Sequence, residues 1–249
     1  MSSLPRAGVW FPTDAQSHGG GTPSQVIRMP RRHPQTKRRS KRTAHRSCAP
    51  VIGIIGPIGA GKSAVAQLFA SFTAGAVVIS GDAVGHDVVE RSVSLRRRLA
   101  RAFGRDILSD TGIDRALLAR RAFATKEANR TLNALVHPPL LRELRRRIRT
   151  ARVRRGVPVV IVDAALLVEW GRDAVTWDRL IGVWAPERER LSRLAHRGWT
   201  AAEVRRRTRC QIPWREKRKH CDGIVNNTGS RAQLRRQAKL CWQNTVPSP

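Results

Sequence analysis

No tyrosine occurs in the 249 residues, and the four cysteines, Cys48, Cys210, Cys221 and Cys241, form no C-x-x-C pair. Their scatter excludes a zinc ribbon and a disulfide framework, and free thiols in a reducing cytosol are expected. His196, Cys210, His220 and Cys221 fit no common zinc spacing either. Apolar runs stop well short of the roughly 18 residues that span a bilayer, so a cytoplasmic protein without membrane contact is expected. Acidic residues are few, 18 against 48 basic ones, for a formal net charge of +30. Of those 48, arginine supplies 41 and lysine 7. The arginines are spread over nearly every helical stretch, as in Arg96 to Arg98, Arg145 to Arg147 and Arg205 to Arg207, where solvated helix surface is the simpler assignment. No base-reading module is present, so phosphate-rich metabolites are the expected counter-charge.

Residues 1–48 carry scattered Gly, Pro, Ser and Thr, then a basic stretch from Arg31 to Arg46. Such a segment buries too little apolar surface to order itself, and it lacks the apolar core of a secretory signal. A disordered extension is expected, with nucleic acid as a partner only through residues 28–46. Residues 49–246 suffice for one α/β domain of roughly 200 residues. A monomer or weak oligomer is the expected state.

The most specific feature is Gly56-Pro57-Ile58-Gly59-Ala60-Gly61-Lys62-Ser63, a complete G-x-x-x-x-G-K-[ST] phosphate loop directly after the apolar run Val51 to Ile55. A buried strand ends there, and glycines let backbone N–H groups turn onto phosphate oxygens. Lys62 reaches the β and γ phosphates, and Ser63 offers a hydroxyl to Mg²⁺. Val65, Leu68, Phe69 and Phe72 recur at helical spacing, so a helix N-terminus points at the anion. A nucleoside triphosphate is the implied ligand.

Further apolar strands are read at Ala76–Ile79, Val157–Val162, about Arg179–Trp184 and Gly223–Val225. Helices fill most of 83–155, interrupted by the turn Ser109-Asp110-Thr111-Gly112, with His137-Pro138-Pro139 opening a new helix. Thr200 to Glu203 reads as a capping box for a helix reaching about Cys210. Short strands alternating with helices imply a parallel sheet covered on both faces, with ligands at the carboxyl ends of its strands. Asp82 and Asp163 each follow a strand. Beside a triphosphate a carboxylate can accept a proton from an attacking hydroxyl or hold Mg²⁺ through water; alone, either aspartate could cap the next helix. Arg190, Arg193 and Arg197 form an arginine-rich helix of the kind that closes over a transferring phosphoryl group, unless they are surface charge.

From about Val51 to Cys241 the chain resembles the dephospho-coenzyme A kinase family. The phosphate loop is followed by Asp82 and His86, similar to D-A-D-x-x-x-H. Asp114-Arg115-x-x-Leu118, Phe123, Leu132-Asn133-x-x-Val136-His137-Pro138 and Asp163 to Glu169 look like the family's substrate-side blocks. Arg193, Arg197, Gln211, Lys217, Asp222 and Asn226-Asn227-x-Gly229 resemble its lid and terminal segment. The resemblance implies a P-loop α/β/α sandwich with a five-stranded parallel sheet in the order 2-3-1-4-5. It also implies a helical acceptor region within 83–155 and an arginine lid near 187–222. ATP would lie on Gly59, Ala60, Gly61, Lys62, Ser63 and Ala64 with Arg193 and Arg197, and Mg²⁺ on Ser63. Asp82 would activate the ribose 3′-hydroxyl of dephospho-coenzyme A, with Lys62 and Arg197 also catalytic. His86, Arg115, His137, Leu166, Leu167 and Glu169 would lie near this acceptor. Ser80, Gly81, Ala165, Pro57 and Ala64 depart from the family's usual residues, and the lid has Gly198 after its arginine. Two other readings are a nucleoside or deoxynucleoside kinase, which carries a similar loop, and a nucleic-acid-binding protein using the basic arm.

Overall fold

The computed structural model describes residues 48–110 and 112–246. The extension ahead of Cys48, including 28–46, lies outside the described residues. The strands are β1 (Val51–Ile55), β2 (Val77–Ser80), β3 (Leu108–Ser109), β4 (Gly112–Ile113), β5 (Val160–Asp163), β6 (Arg179–Trp184) and β7 (Gly223–Asn226). Five helices precede β5: α1 (Lys62–Ser71), α2 (Gly81–Arg91), α3 (Val93–Phe103), α4 (Arg115–Ala122) and α5 (Lys126–Val153). Five follow it: α6 (Leu167–Trp170), α7 (Glu187–Ala195), α8 (Ala201–Arg209), α9 (Trp214–Lys217) and α10 (Arg231–Thr245).

All five residues of β1 are buried, as a strand covered on both faces must be. It pairs in parallel with β5 on one side and β6 on the other, giving a five-stranded sheet in the order β2-β5-β1-β6-β7. The labels differ from the expected 2-3-1-4-5 because two short strands, β3 and β4, fall between β2 and β5. They form a hairpin, Leu108 opposite Ile113 and Ser109 opposite Gly112, around the expected turn. The expected Val157–Val162 strand begins three residues later. Pro158 cannot donate to a ladder, and the register starts where Val51 meets Val160.

On one face of the sheet, Leu140, Leu144, Ile148 and Ala151 of α5 and Val84 of α2 pack against Val51, Val160 and Val162. On the other, Val65 and Phe69 of α1 and Leu234 and Ala238 of α10 cover Ile52, Ile54 and Ile161. A third cluster, built on Val89, Leu99, Phe103, Leu118 and Leu132, joins α2 to α5 away from the sheet.

One expected boundary is wrong. His137-Pro138-Pro139 does not open a helix but lies inside α5, which starts at the cap Thr125, whose Oγ1 accepts from the Ala128 amide at 3.0 Å. Two interior prolines cost roughly 3 kcal/mol each. Leu132, Leu140, Leu144 and Ile148 lie on one buried stripe, and full burial of each contributes roughly 1.5–3 kcal/mol, which offsets that cost. The carbonyl of Ala134, which Pro138 cannot serve, belongs to an exposed residue and can meet water. Leu144→Ala is therefore expected to cost about 2–5 kcal/mol in urea unfolding, against roughly 0.5 kcal/mol or less for exposed Leu240→Ala. Equal losses for the two would contradict the packing.

Candidate active site

Beyond Ile55 the chain turns through residues 56–61 and α1 begins at Lys62. Gly59 (φ 77°) and Gly61 (φ 97°) occupy the left-handed region that other residues avoid. A Cβ on Gly59 would also stand 2.8 Å from Leu194 Cδ1 and 3.0 Å from the Arg190 carbonyl, so the loop lies directly against α7. Buried Arg190 donates from Nη1 to the Ile58 carbonyl at 3.1 Å and from Nε to Ala185 at 3.2 Å. Asn227 Nδ2 donates to the Ala60 carbonyl at 2.9 Å. These contacts hold the loop by its carbonyls. No side chain caps the N-terminus of α1, which leaves its first-turn N–H groups for an anion. Lys62, nearly buried, folds back so that Nζ donates to the Pro57 carbonyl at 3.3 Å. Arg190 thus fixes the loop rather than facing the site, and burial lowers its pKa. Arg193 donates from Nη2 to Glu189 at 2.9 Å and to the Asn227 carbonyl at 2.7 Å, while its Nη1 is buried without a hydrogen bond. Arg197 is half-buried just past α7.

The carboxyl edge of the sheet gathers the acids. Ser63 Oγ donates to Asp163 Oδ2 at 2.6 Å. Asp163 is paired with Ile54 of β1 on one side and Ser80 of β2 on the other. Asp163 is thus the last residue of β5, and Asp82 is the second residue of α2, not its cap. That cap is Ser80, whose Oγ accepts from the Ala83 amide at 3.2 Å. Asp82 in the first helical turn sits where the helix dipole favours negative charge. Two strand spacings, about 10 Å, separate β2 from β1, a gap that a polyphosphate tail can bridge. The Ser63 and Asp163 oxygens are hard donors of the kind Mg²⁺ takes alongside phosphates and water. Among the described residues no group of three or more His, Cys, Asp or Glu could hold a metal alone.

Asp82 opens into a cavity of about 110 Å³, lined also by Asn129, Asn133, His137, Leu166, Glu169, Arg207 and Gln211. His137 meets the Trp170 ring edge-on at 5.6 Å, and burial lowers its pKa. Leu167 does not line the cavity: it is fully buried under β1, one helical position round from Leu166. Glu169 reaches the wall but is tied to buried Lys217, Nζ to Oε1 at 2.5 Å, and accepts from the Ile212 amide at 3.1 Å. Lys217 Nζ also donates to the Ala165 carbonyl at 2.8 Å, and burial lowers its pKa. His86 and Arg115 are outside this lining. Arg115 Nη1 lies 3.4 Å from His86 Nδ1, and its Nη2 pairs with Glu90.

Asn129 and Arg207 are lining residues to which sequence reasoning gave no role, whereas Asn133 figures there only as part of a substrate-side block. Asn129, Asn133 and His137 are four residues apart along α5, so they share one face. A helix boundary placed at His137 hides that periodicity. Arg207, expected at the surface, is 8% exposed. It follows Val204 by three positions in α8, whose capping box at Thr200 and Glu203 is present as expected, so both lie on the inward stripe.

A sequence profile of dephospho-CoA kinase matches residues 50–233. The chain belongs to the dephospho-CoA kinase family. It is 36% identical over 195 residues to the dephospho-CoA kinase of Corynebacterium diphtheriae, covering 78% of this chain and 96% of that one. With the Corynebacterium glutamicum protein of the same name it shares 40% identity over 189 residues, 75% of this chain and 92% of that one. Among solved structures, TT1252 from Thermus thermophilus superposes with a TM-score of 0.63 at 33% identity, covering 81% of this chain and all of that one. Dephospho-CoA kinase from Campylobacter jejuni, at 22% identity, shares the fold with a TM-score of 0.53 over 80% of this chain and 99% of that one. Within the family's usual D-A-D this member has Ser80 as a cap, and Gly81 lies so close to β5 that a Cβ there would stand 2.8 Å from Ala164 Cβ.

Two outcomes follow from the charges in and beside this cavity. Lys217→Ala takes the cation from half-buried Glu169 and the donor from the Ala165 carbonyl, and is expected to cost roughly 1–3 kcal/mol in urea unfolding. A change under about 0.5 kcal/mol would contradict the pairing. His86 is held down to a pKa of about 4, chiefly by burial and then by Arg115, with Asp87 opposing. Folded His86 stays neutral to about pH 4, whereas the unfolded chain takes up its proton near pH 6.5. The unfolded state therefore binds the extra proton as pH falls through that window, and stability drops. In melting curves from pH 7 to 4, His86→Gln is expected to lose less stability than the parent; parallel curves would contradict the assignment.

Proposed function

We propose that this chain transfers the γ-phosphoryl group of ATP to the ribose 3′-hydroxyl of dephospho-coenzyme A, giving coenzyme A and ADP with Mg²⁺. The observation that carries the reading is the clamped phosphate loop on β1 with the cavity opening at Asp82 two strands away. In this reading the α1 N-terminus and Lys62 neutralise charge on the transferring group, while Arg193 and Arg197 serve ATP from a lid spanning 187–222. Ser63, beside Asp163, would hold Mg²⁺, which would supply further neutralisation of phosphate charge. The acceptor occupies the helical region 83–155 against His137, Leu166 and Glu169, with His86 and Arg115 behind it.

The 3′-oxygen forms a bond to the γ-phosphorus as the bond to the ADP oxygen breaks, and the hydroxyl proton passes to the Asp82 carboxylate. Its place in the first turn of α2 sets Asp82 where the helix dipole favours the carboxylate's negative charge. Leu167 contributes packing rather than acceptor contact. No helix among the described residues is long and apolar enough to cross a membrane, consistent with a substrate met in water.

The test is ADP release by the purified full chain with ATP and a panel of acceptors. Dephospho-coenzyme A is expected to turn over and nucleosides to lag far behind. ATP binding without turnover of dephospho-coenzyme A would remove the assignment, and a preference for a nucleoside would favour nucleoside kinase chemistry. Asp82→Asn is expected to keep ATP affinity within about twofold while kcat falls by roughly 10²- to 10⁴-fold. A rate kept within a factor of a few would end the proton-acceptor role.

A further inference from the structure

Asn129 is 8% exposed, yet its primary amide belongs to the lining of the Asp82 cavity. A polar side chain that deep is retained where hydrogen bonds satisfy it. Asn133 Nδ2, one turn further along α5, donates to Asn129 Oδ1 at 3.1 Å, and Asn133 lines the same cavity. A primary amide carries two N–H donors and a carbonyl oxygen. Their mutual bond uses one N–H and one oxygen, so the couple still offers an amine and a carbonyl to a third group, whichever of the two amides is the donor. The spacing of four residues keeps both on one face of the helix. The start of α5 is already made without them: Thr125 caps it through the Ala128 amide, and the Asn129 main-chain N–H closes onto the Thr125 carbonyl at 3.1 Å. Much of the remaining wall is apolar, with Val89, Phe123, Leu132 and Val136 in the lining. An apolar cavity with a few convergent polar groups suits a flat ligand that has a hydrogen-bonding edge.

Resting on the proposed reaction, we infer that the Asn129–Asn133 couple reads the adenine base of the acceptor. Its carbonyl accepts from the exocyclic 6-amine, and its amine donates to the neighbouring ring nitrogen. This is the donor–acceptor match by which carboxamide side chains select adenine in nucleic acids. In the acceptor, base and 3′-hydroxyl stand on one ribose ring, so a hydroxyl facing Asp82 brings the base to the wall of the same cavity. The thiol-bearing arm lies beyond two phosphates and is the more distant part. The couple thus sets which base the acceptor carries, while Asp82 acts on its hydroxyl.

Acceptor kinetics of the full chain with ATP decide this. The probes are dephospho-coenzyme A and its hypoxanthine analogue, in which a carbonyl replaces the 6-amine while the phosphates and the thiol arm are the same. A site built to hydrogen-bond an N–H group rejects an analogue lacking it, because buried polar groups are then left unpaired. The parent is expected to use the analogue with a kcat/KM about tenfold or more below that for dephospho-coenzyme A. N133A is expected to raise the KM for dephospho-coenzyme A by about tenfold while the analogue and the KM for ATP each change by about twofold or less, so the preference between bases collapses. N133L, which restores volume with a strong helix former, serves if N133A does not fold. Equal kcat/KM for the two acceptors in the parent would overturn the inference. So would equal losses on both acceptors in the variant, which would turn the couple toward the amides of the thiol arm or make it a brace within α5. A parent without turnover on dephospho-coenzyme A would remove the reaction itself, whereas a turning-over parent indifferent to the base would remove this inference alone.

Discussion

The phosphate loop is held from behind. Arg190 takes the Ile58 carbonyl and Asn227 the Ala60 carbonyl, so the turn between β1 and α1 is fixed by groups of the protein itself. Both clamps come from residues distant in sequence, one on α7 and one just past β7. The loop's geometry therefore depends on the sheet being assembled. Conversely, the helix N-terminus that would attract a triphosphate is oriented by β1, which is buried between β5 and β6. A preorganised cradle stabilises charge in a transition state because its dipoles need not reorient during the reaction.

The sheet then fixes what stands beside the cradle. Parallel pairing of β1, β5 and β2 puts Ser63 and Asp163 in hydrogen-bond contact and leaves Asp82 at the mouth of a separate cavity. The distribution of buried cations follows the same plan. Arg190 is spent on loop carbonyls, Lys217 on Glu169 and the Ala165 carbonyl, and Arg207 on two rings at the cavity. Each is removed from water by the fold and satisfied by a different device. Among the many basic residues of the chain, these buried ones mark where its charge is specific.

The phosphate loop, the strand run before it and Asp82 were legible in the sequence because they are local: a motif of eight residues and one acid after an apolar stretch. The capping box at Thr200 was legible for the same reason. What was hidden depended on register over longer spans. Prolines inside α5 looked like a boundary, which concealed the alignment of Asn129, Asn133 and His137 on one face. Leu166 and Leu167 part because adjacent residues on a helix face different ways: Leu166 lines the cavity and Leu167 goes to the core. Arg207 could not be told from Arg205 and Arg206 by residue type. Only the inward stripe set by Val204 separates it from its neighbours, and the rings it packs on come from segments that meet in the fold alone.

The most direct measurement is a structure of the full chain with Mg²⁺, a non-hydrolysable ATP analogue and dephospho-coenzyme A bound together. The account predicts phosphates seated on the N–H groups at the start of α1, with the loop scarcely moved. It also predicts an Asp82 carboxylate oxygen within about 2.6–3.2 Å of the ribose 3′-hydroxyl, itself in line with the γ-phosphorus. A 3′-hydroxyl facing another group, with Asp82 remote from it, would contradict the account.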